Sequence, residues 1–524
     1  MQKFLSYLIP AMFLLAIGWT PGYGQENDST KNDFLDLSHV RDKLLQDKQR
    51  PIYHFVMPEG IAEPFDPNGA IYWNGRYHLF YIFQPKSASI WDSYYGHVSS
   101  ADLVHWRYHP TALAPNPGDP DRGIFSGNAF INKDGEATIL YHGVKAGNCI
   151  ATSSDPNLDH WVKLASNPIV KSPKKGDPDH GKYSSWDPHG WLDGDTYYAI
   201  FGGKKATLFQ ADNLEEWEFV GDFLNNDMPN VEPFEDISCP DFFKLGDKWM
   251  LLCISHSIGA RYYLGEYKDN KFYPDYHERM NWGGGACFAP ESMLDHKGRR
   301  IMWAWAIDSR FRWENHEEII ENVGWSGTMT LPRVLSLGDD GMLRIQPVEE
   351  LQILRSNHYM QENISVAANS AMDMPDIQGD AFELEAVIEP GNAGEFGITI
   401  RRSPDGEEET RIFYDAAKKN LVIDVEKSTL DTSITYEKYI FKDEGQKEIT
   451  RQEAPFEFPS GEDVKFHIFA DRSIVEVFVN DRICLTQRIY PTRDDSKGIM
   501  LFANGGDMEV KALNFWQMQP SNPW

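Results

Sequence analysis

Acidic side chains stand at the start of successive apolar segments in the N-terminal part of the chain. They are Asp66 in Phe65-Asp66-Pro67-Asn68-Gly69, Asp187 in Trp186-Asp187-Pro188-His189, the cluster of Glu235, Asp236 and Asp241, and Glu291 in Pro290-Glu291-Ser292. In glycosidic bond cleavage, one carboxylate attacks or stabilises the sugar and another protonates the departing oxygen. Crowding also raises the pKa of at least one carboxyl group, which keeps an acid protonated near neutral pH. The set predicts a sugar-cleaving site, provided that the fold brings these residues together.

A fifth segment of the same kind carries Phe125-Ser126-Gly127 in place of an acid. Each Asp-Pro pair, taken alone, is equally well explained as a turn or as the cap of a strand. Carboxylates at four of five equivalent positions are more than loop solvation requires. The set as a whole therefore favours function.

The segments that follow these residues repeat one pattern, which would position them. An apolar strand, a turn that contains glycine and a second strand rich in aromatic residues occur five times, at 70–80, 127–141, 190–198, 242–250 and 292–302. Asn-Gly and Asp-Gly turns favour hairpins, because both turn residues tolerate positive φ. A marker that ends in tryptophan recurs with a similar period, at 102–106, 157–161 and 213–217.

Five hairpin units predict a five-bladed β-propeller over residues 45–346, in which the first strand of each blade lines a central pocket. An ordinary β-sandwich with coincidental turns is the alternative. Residues 347–355 are predicted to be a short helical linker. Residues 381–388 and 474–479 then alternate with period two, which predicts half-solvated antiparallel strands and a C-terminal β-sandwich over residues 356–520. The predicted fold class is therefore all-β, and the sandwich either supports the propeller or binds carbohydrate.

Composition narrows the range of partners. The chain has 524 residues, with 79 acidic and 50 basic side chains and a formal net charge of −29. This charge argues against nucleic-acid binding, which depends on clustered lysine and arginine, and against docking on an anionic membrane. Five cysteines at wide spacings fit neither a disulfide framework nor a zinc site. Nothing in the sequence indicates an oligomeric state.

Residues 1–24 are predicted to be a signal peptide. Lys3 precedes an apolar stretch that reaches Trp19, and the small residues Gly22 and Gly24 come just before a polar segment, as at a cleavage site. The apolar stretch is too short and too interrupted to span a membrane comfortably. We expect an exported protein, periplasmic or extracellular, with no membrane insertion.

Several motifs occur in an order that is specific to one known family. They are Phe65–Gly69, Tyr77–Tyr81, Gly96–Trp106, Phe125–Gly127, Cys239–Phe243, Gly324–Gly327 with Leu331–Arg333, and Asp471–Asn480. Together they resemble glycoside hydrolase family 32, which contains the invertases, inulinases and levanases. The resemblance covers residues 51–517, nearly all of the chain that would follow the signal peptide.

The resemblance implies a five-bladed propeller with a β-sandwich, and retaining hydrolysis of β-fructofuranosides without a metal or cofactor. By position, Asp66 is the nucleophile that forms a fructosyl-enzyme intermediate. Asp187 holds sugar hydroxyl groups and stabilises the cationic transition state. The predicted substrate-binding residues are Asn68, Gln84, Phe125, Ser126, Trp186 and Glu291.

The chain departs from the family pattern at two important positions. Trp186 stands where the family carries arginine, and Ser238 stands where it carries the glutamate that serves as acid/base. A serine cannot protonate a leaving alcohol at neutral pH. A short insertion would align Glu235 with that glutamate, and we assign Glu235 as the acid on this basis. Glu291 and Asp236 are alternatives, as is the absence of any acid.

Two functions of different classes follow. The first is an exported hydrolase that cleaves terminal β-fructofuranosidic bonds of fructans or of fructose-containing oligosaccharides. The second is a carbohydrate-binding protein that kept the fold, lost the acid and binds a related furanoside. The retained Asp66 and Asp187 favour the enzyme, because a binding pocket gains little from burying unpaired acids.

Overall fold

The computed structural model describes residues 46–57, 65–84, 92–310, 325, 327–436 and 448–522. The predicted signal peptide at residues 1–24 lies outside these ranges. Throughout them the backbone is dominated by antiparallel strands, which confirms the predicted all-β class. No helix in the described ranges is long and apolar enough to cross a membrane.

Residues 65–347 form five antiparallel sheets whose strands pair in chain order. The first contains β1 Phe65–Trp73, β2 Arg76–Phe83, β3 Tyr94–Ser100 and β4 Trp106–Tyr108. The second contains β5 Ile124–Ile131, β6 Ala137–Gly143, β7 Gly147–Ser153 and β8 Val162–Lys163, with β9 Val170–Lys171 also paired to β7. The third contains β10 Pro188–Asp193, β11 Thr196–Phe201, β12 Thr207–Ala211 and β13 Glu218–Asp222.

The last two of these sheets follow the same plan. The fourth contains β14 Ser238–Leu245, β15 Lys248–Ser255, β16 Gly259–Lys268 and β17 Lys271–Arg279. The fifth contains β18 Cys287–Leu294, β19 Arg300–Ala306, β20 Arg333–Leu337 and β21 Leu343–Pro347.

The first two strands of each sheet form the hairpins that the repeat predicted. In the first sheet, Trp73 pairs with Arg76 across Asn74-Gly75. Both turn residues have positive φ, 46° at Asn74 and 81° at Gly75. This is the conformation for which an Asn-Gly turn is selected.

The first strands of the five sheets contact one another in sequence. Strand β5 contacts β1 and β10, β14 contacts β10 and β18, and β18 contacts β1. The cyclic order is the one that a five-bladed propeller requires.

The C-terminal region consists of two six-stranded antiparallel sheets. A 3-10 helix at Glu349–Leu354 precedes them. In spatial order the first sheet is β22 Arg355–Val366, β33 Met508–Met518, β24 Ala381–Glu389, β29 Val464–Asp471, β30 Ile474–Val479 and β31 Ile483–Arg488. The second is β23 Ser370–Gln378, β32 Gly498–Asn504, β25 Glu395–Arg402, β26 Thr410–Asp415, β27 Asn420–Asp424 and β28 Arg451–Pro455. Apolar side chains from both sheets, such as Leu384, Ile398, Ile468 and Leu501, form one buried cluster.

The period-two alternation in this region does not mark half-solvated strands. All six residues of β30 are buried, and β24 is buried except toward its end. The polar member of β30 is Glu476, which accepts hydrogen bonds from Arg333 of the fifth sheet. The prediction was wrong because the polar side chains of β30 face a partner region of the same chain instead of water.

Candidate active site

In four of the five N-terminal sheets, a β-bulge lies near the start of the first strand. The pairing register shifts at Asp66 in β1, at Ser126 in β5, at Cys239-Pro240 in β14 and at Ala289-Pro290 in β18. Asp66, Cys239 and Ala289 have positive φ values of 24°, 46° and 45°. Non-glycine residues adopt such φ values only where the surrounding structure imposes them, and bulges commonly redirect side chains at functional sites.

The bulges correct the predicted set of equivalent positions. Asp187 directly precedes β10 and corresponds to Asp66, Ser126, Cys239 and Ala289 in the other sheets. Two of these five positions carry a carboxylate, where four were expected. Glu291 lies two residues beyond Ala289, paired with Trp303. Sequence reasoning placed it at the wrong register because a bulge leaves no mark in the spacing of apolar residues.

The structure brings Asp66 and Asp187 together around the thiol of Cys239. The Cys239 sulfur lies 3.9 Å from Asp66 Oδ2 and 3.7 Å from Asp187 Oδ2. The backbone N–H of Cys239 also donates to Asp187 Oδ2 at 3.1 Å. Ser126 donates from its hydroxyl to Asp66 Oδ2 at 3.2 Å. The nucleophile and stabiliser assigned from sequence thus share one buried pocket.

Burial dominates the electrostatics of this pair. It raises the pKa of Asp66 to about 7, with a further contribution from the negative charge of Asp187 and an opposing one from His256. Burial also raises the pKa of Asp187, while His142 and His256 oppose the shift. Asp66 Oδ1 is buried without a hydrogen-bond partner among the described residues.

Asn68 positions the nucleophile through the backbone. Its amide nitrogen donates to the carbonyl of Asp66 at 2.7 Å, and its amide oxygen accepts the N–H of Gly127 at 2.9 Å. Both ends of the side chain are therefore engaged within the protein. Asn68 thus supports the backbone at Asp66, and the sugar contact predicted for it stays a prediction.

The remaining predicted sugar contacts surround the carboxylate pair. Phe125 is half-buried beside the bulge at Ser126, and its ring lies 6.3 Å from that of His142. Trp186 is half-buried with its ring 4.9 Å from His142. Gln84 is buried directly after β2. His142, which the sequence did not single out, thus lies between two predicted aromatic contacts.

The two departures from the family pattern contact each other. The indole N–H of Trp186 donates to the hydroxyl of Ser238 at 2.9 Å, and that hydroxyl donates to Asp236 Oδ2 at 2.8 Å. One hydrogen-bonded pair therefore stands where the family would place an arginine and a glutamate. The two substitutions form a single local rearrangement.

Glu235 does not fit the acid role predicted from the alignment. Its side chain is 1% exposed and forms an ion pair with the buried Arg261. Its other oxygen accepts the backbone N–H of Glu232 at 2.9 Å. Both carboxylate oxygens are therefore engaged by groups of the protein, and neither is left for a leaving oxygen. Sequence could not show this, because Arg261 comes from another part of the fourth sheet.

Asp236 is held as an anion. Ser255 and the backbone N–H of His256 donate to Oδ1 at 3.1 and 3.0 Å, and Nδ1 of His256 lies 2.6 Å from Oδ2. Burial raises the pKa of Asp236, but the hydrogen bond and charge of His256 outweigh burial and lower that pKa well below its usual range. Asp236 therefore cannot donate a proton near neutrality.

Glu291 is buried between the first strands of the first and fifth sheets. Its Oε1 accepts the backbone N–H of Ala70 at 3.1 Å. Burial and the nearby Asp241 raise its pKa well above its usual value. Glu291 is thus enclosed by protein, and the sugar contact predicted for it stays a prediction.

Two clusters of described residues have the composition of metal ligands, and neither contains a predicted site residue. They are His97, His109 and Asp159 in one case, and Glu383, Glu385 and His467 in the other. Asp159 already accepts from Nδ1 of His109 at 2.6 Å, and Glu383 accepts two hydrogen bonds from Arg355. Ion pairs and hydrogen bonds within the protein thus satisfy both clusters.

Five antiparallel sheets thus carry a pair of buried carboxylates beside aromatic rings. Glycoside hydrolases use such a carboxylate pair to cleave a sugar bond. Comparison with known proteins agrees. The family model described as the glycosyl hydrolases family 32 N-terminal domain matches residues 54–347, and the corresponding C-terminal model matches residues 350–517. The chain therefore belongs to glycosyl hydrolase family 32.

Individual relatives are similar along most of their length. The chain is 29% identical to a sucrose-6-phosphate hydrolase of Zymomonas mobilis, with 92% of this chain and 94% of that protein aligned. It is 29% identical to a levanase of Bacillus subtilis, with 88% and 69% aligned. The crystal structure of fructan 1-exohydrolase IIa from Cichorium intybus superposes with a TM-score of 0.77 at 23% identity, over 90% of this chain and 98% of that one. The last similarity concerns the fold.

Proposed function

We propose that this protein is an exported, retaining β-fructofuranosidase that releases terminal fructose from fructans or fructose-containing oligosaccharides. The main support for this proposal is that Asp66 and Asp187 are buried and both contact the sulfur of Cys239. Holding two acids without a paired cation is costly. A transition state that carries positive charge on the sugar ring would offset this cost, whereas a neutral bound sugar would not.

In this mechanism Asp66 attacks the anomeric carbon of the terminal fructose. Its raised pKa, about 7, reflects an anion that burial destabilises and that bonding to the sugar neutralises. Asp187 remains ionised beside the ring and stabilises the oxocarbenium-like transition state. Hydrolysis of the fructosyl-Asp66 ester then gives net retention.

We also infer that the five N-terminal sheets are the blades of one closed propeller and that the C-terminal sheets support it. The cyclic contacts among first strands favour closure. Ion pairs between the two regions, such as Arg333 with Glu476, favour support over independent carbohydrate binding. The proposed boundaries stay at residues 45–346, 347–355 and 356–520.

A substrate panel tests the proposed activity. The protein without residues 1–24 is incubated with levan, inulin, sucrose, sucrose 6-phosphate and kestose-type oligosaccharides, and released sugars are separated by chromatography. Levanase, fructan exohydrolase and sucrose-6-phosphate hydrolase among the relatives justify this range. We expect free fructose as the first product, and Asp66→Ala serves as the matched control. A panel without any released fructose would contradict the proposal.

Export is tested separately by expressing the full chain in a bacterial host. We expect the protein outside the cytoplasm, with an N-terminus that begins after Gly24. An unprocessed protein confined to the cytoplasm would leave the hydrolase intact and remove the proposed export.

A further inference from the structure

The carboxylate pair supplies a nucleophile and a stabilising charge, but the reaction also requires a proton for the leaving oxygen. Ser238 cannot supply it, the carboxylates of Glu235 and Asp236 are engaged by Arg261 and His256, and Glu291 is enclosed by protein. A different donor must therefore face the pocket. The turn between β15 and β16 contains a candidate that sequence analysis did not single out, His256.

The topology of the fourth sheet brings this turn to the pocket. Strand β14 begins at the pocket with Ser238 and Cys239, and β15 runs antiparallel to it, so that Ser238 pairs with Ile254. The turn that follows β15 therefore lies at the same end of the sheet as Cys239. The His256 ring lies 6.3 Å from the ring of Trp186 in the third sheet and 6.4 Å from that of Phe288 in the fifth.

Asp236 fixes the orientation of the imidazole. His256 Nδ1 lies 2.6 Å from Asp236 Oδ2, and the backbone N–H of His256 donates to Oδ1 of the same carboxylate at 3.0 Å. Hydroxyl groups of Ser238 and Ser255 hold that carboxylate in turn. With Nδ1 engaged, the second ring nitrogen, Nε2, has no hydrogen-bond partner among the described residues. The side chain is 56% exposed, so a substrate atom can reach it.

Space for the departing half of a substrate adjoins the imidazole. A cavity of about 510 Å³ is lined by His256, Asp236 and Trp186 together with Tyr183, Ser184 and Lys204. A general acid must stand between the reacting carbon and the leaving group. His256 lines this cavity, and it is close enough to the carboxylate pair for its charge to lower the pKa of both Asp66 and Asp187.

We propose, on the basis of the function proposed above, that His256 is the general acid/base of this enzyme and that Asp236 is its positioning residue. The first step breaks the bond between the anomeric carbon and the leaving oxygen, while Asp66 forms its ester and Nε2 of His256 gives its proton to that oxygen. In the second step, neutral His256 removes a proton from water. The water oxygen bonds to the anomeric carbon, the Asp66 carboxylate is released, and His256 is again protonated.

The surrounding charges suit this cycle. The hydrogen bond that His256 donates to Asp236 raises the pKa of His256 from its usual 6.5, as do the charges of Asp236, Asp187 and Asp66, while burial acts in the opposite direction. These charges therefore favour the protonated imidazole that the first step requires. When Asp66 is esterified, one of these charges disappears and the pKa of His256 falls, which favours the neutral imidazole that the second step requires.

Leaving-group dependence tests the proposal. The aryl group of an aryl β-fructofuranoside leaves without being protonated, whereas the sugar that leaves a natural fructan must be protonated. His256→Ala should lower kcat/KM for the fructan by about 10²–10⁴-fold. It should change kcat/KM for the aryl substrate, which reports formation of the ester, by less than about tenfold. Azide should restore turnover of the aryl substrate and give a fructosyl azide, because azide attacks the ester without a base. Asp236→Asn should lower the pKa of the alkaline limb of kcat/KM and leave KM unchanged.

The matched control is His105→Ala. His105 forms the same kind of pair, with Nδ1 2.8 Å from Asp102 Oδ2 and its backbone N–H bonded to Oδ1, but it lies in the loop after β3. This variant should keep wild-type rates on both substrates. Thermal unfolding of each variant shows whether it is folded, and His256→Gln replaces His256→Ala if the alanine variant is unstable.

The outcomes separate this proposal from the proposed function. A wild type that cleaves both substrates, with a His256 variant of equal activity, overturns the proposal alone. A leaving-group-dependent loss in Glu291→Gln or Glu235→Gln, but not in the His256 variant, also overturns it and assigns the acid elsewhere. A wild type that cleaves neither substrate overturns the proposed function and this proposal together.

Discussion

Buried carboxylates occur in two regions of this molecule, and their surroundings differ. In the pocket, Asp66 and Asp187 lie together without a hydrogen-bonded cation, and burial raises the pKa of both. Between the five N-terminal sheets and the two C-terminal sheets, Glu476 accepts hydrogen bonds from Arg333 and from the N–H of Leu331. Burial acts to raise the pKa of Glu476 as well, but the charge of Arg333 and the hydrogen bond from His54 outweigh burial and lower it.

The difference separates acids that perform chemistry from acids that hold the protein together. A neutralised carboxylate contributes to stability and gives up reactivity, whereas an unpaired one costs stability and keeps its reactivity. Both regions hold buried carboxylates. The partner cation therefore decides the role, and it can be removed or added by mutation.

The largest expected effect is the loss of activity in Asp66→Ala. We expect kcat/KM to fall by at least about 10⁴-fold on every substrate, since the covalent intermediate can no longer form. Steady-state kinetics and a circular dichroism spectrum check the rate and the fold. Wild-type activity in a correctly folded variant would end the covalent mechanism.

At the interface, Glu476→Gln should have the opposite profile. It leaves Arg333 buried without its counter-charge, which costs about 3–5 kcal/mol of unfolding free energy. The denaturant midpoint should fall, while kcat per folded molecule is retained. Asp463→Asn is the control, because its ion pair with Lys511 is at the surface and its loss should leave the midpoint in place. If both variants behaved alike, the interface pair would have no special role.

Asp187→Asn should lower kcat by about 10²–10³-fold and raise KM much less. The amide keeps the shape of the side chain but removes the charge that opposes the developing cation. Separate measurement of kcat and KM on one oligosaccharide distinguishes the two effects. A change in KM alone would make Asp187 a uniform binding residue.

The smallest effect is a gain in stability for Asp66→Asn, and it should depend on pH. The pKa of Asp66 is about 7 in the folded protein, against an ordinary value of 3.8. The folded state therefore binds more protons than the unfolded state between these values, and the wild type loses stability as pH rises through that window. The variant should gain up to about 4 kcal/mol above pH 7 and nothing below pH 4. Melting curves across this range measure the gain, and equal gains at pH 4 and pH 8 would contradict it.

Sequence reasoning predicted the elements that depend on local patterns. The Asn74-Gly75 turn defines its hairpin, and Asp66 was recognised from its neighbours alone. Properties that depend on distant partners were missed. Glu235 was assigned as the acid, but it forms an ion pair with Arg261. Strand β30 was predicted to be half-solvated, but Arg333 pairs with Glu476 and that side chain is buried.

His256 shows a second kind of limit. A single histidine in a short turn carries no sequence signal of its own. The available clue was that it follows a buried strand antiparallel to the one that starts at Cys239, and this places it at the pocket end of the sheet. Hairpin topology, applied to every turn at that end, would have included it among the candidates.

The bulges at the starts of the first strands also bear on how this site can change over time. Asp66 and Ser126 each occupy a position at which the pairing register shifts, so their side chains project from residues outside the regular ladder of backbone hydrogen bonds. Exchanging such a side chain leaves the pairing of the sheet intact. Side chains at these positions can therefore be exchanged while the sheets stay the same. An evolving family can in this way alter the chemistry of the pocket one residue at a time.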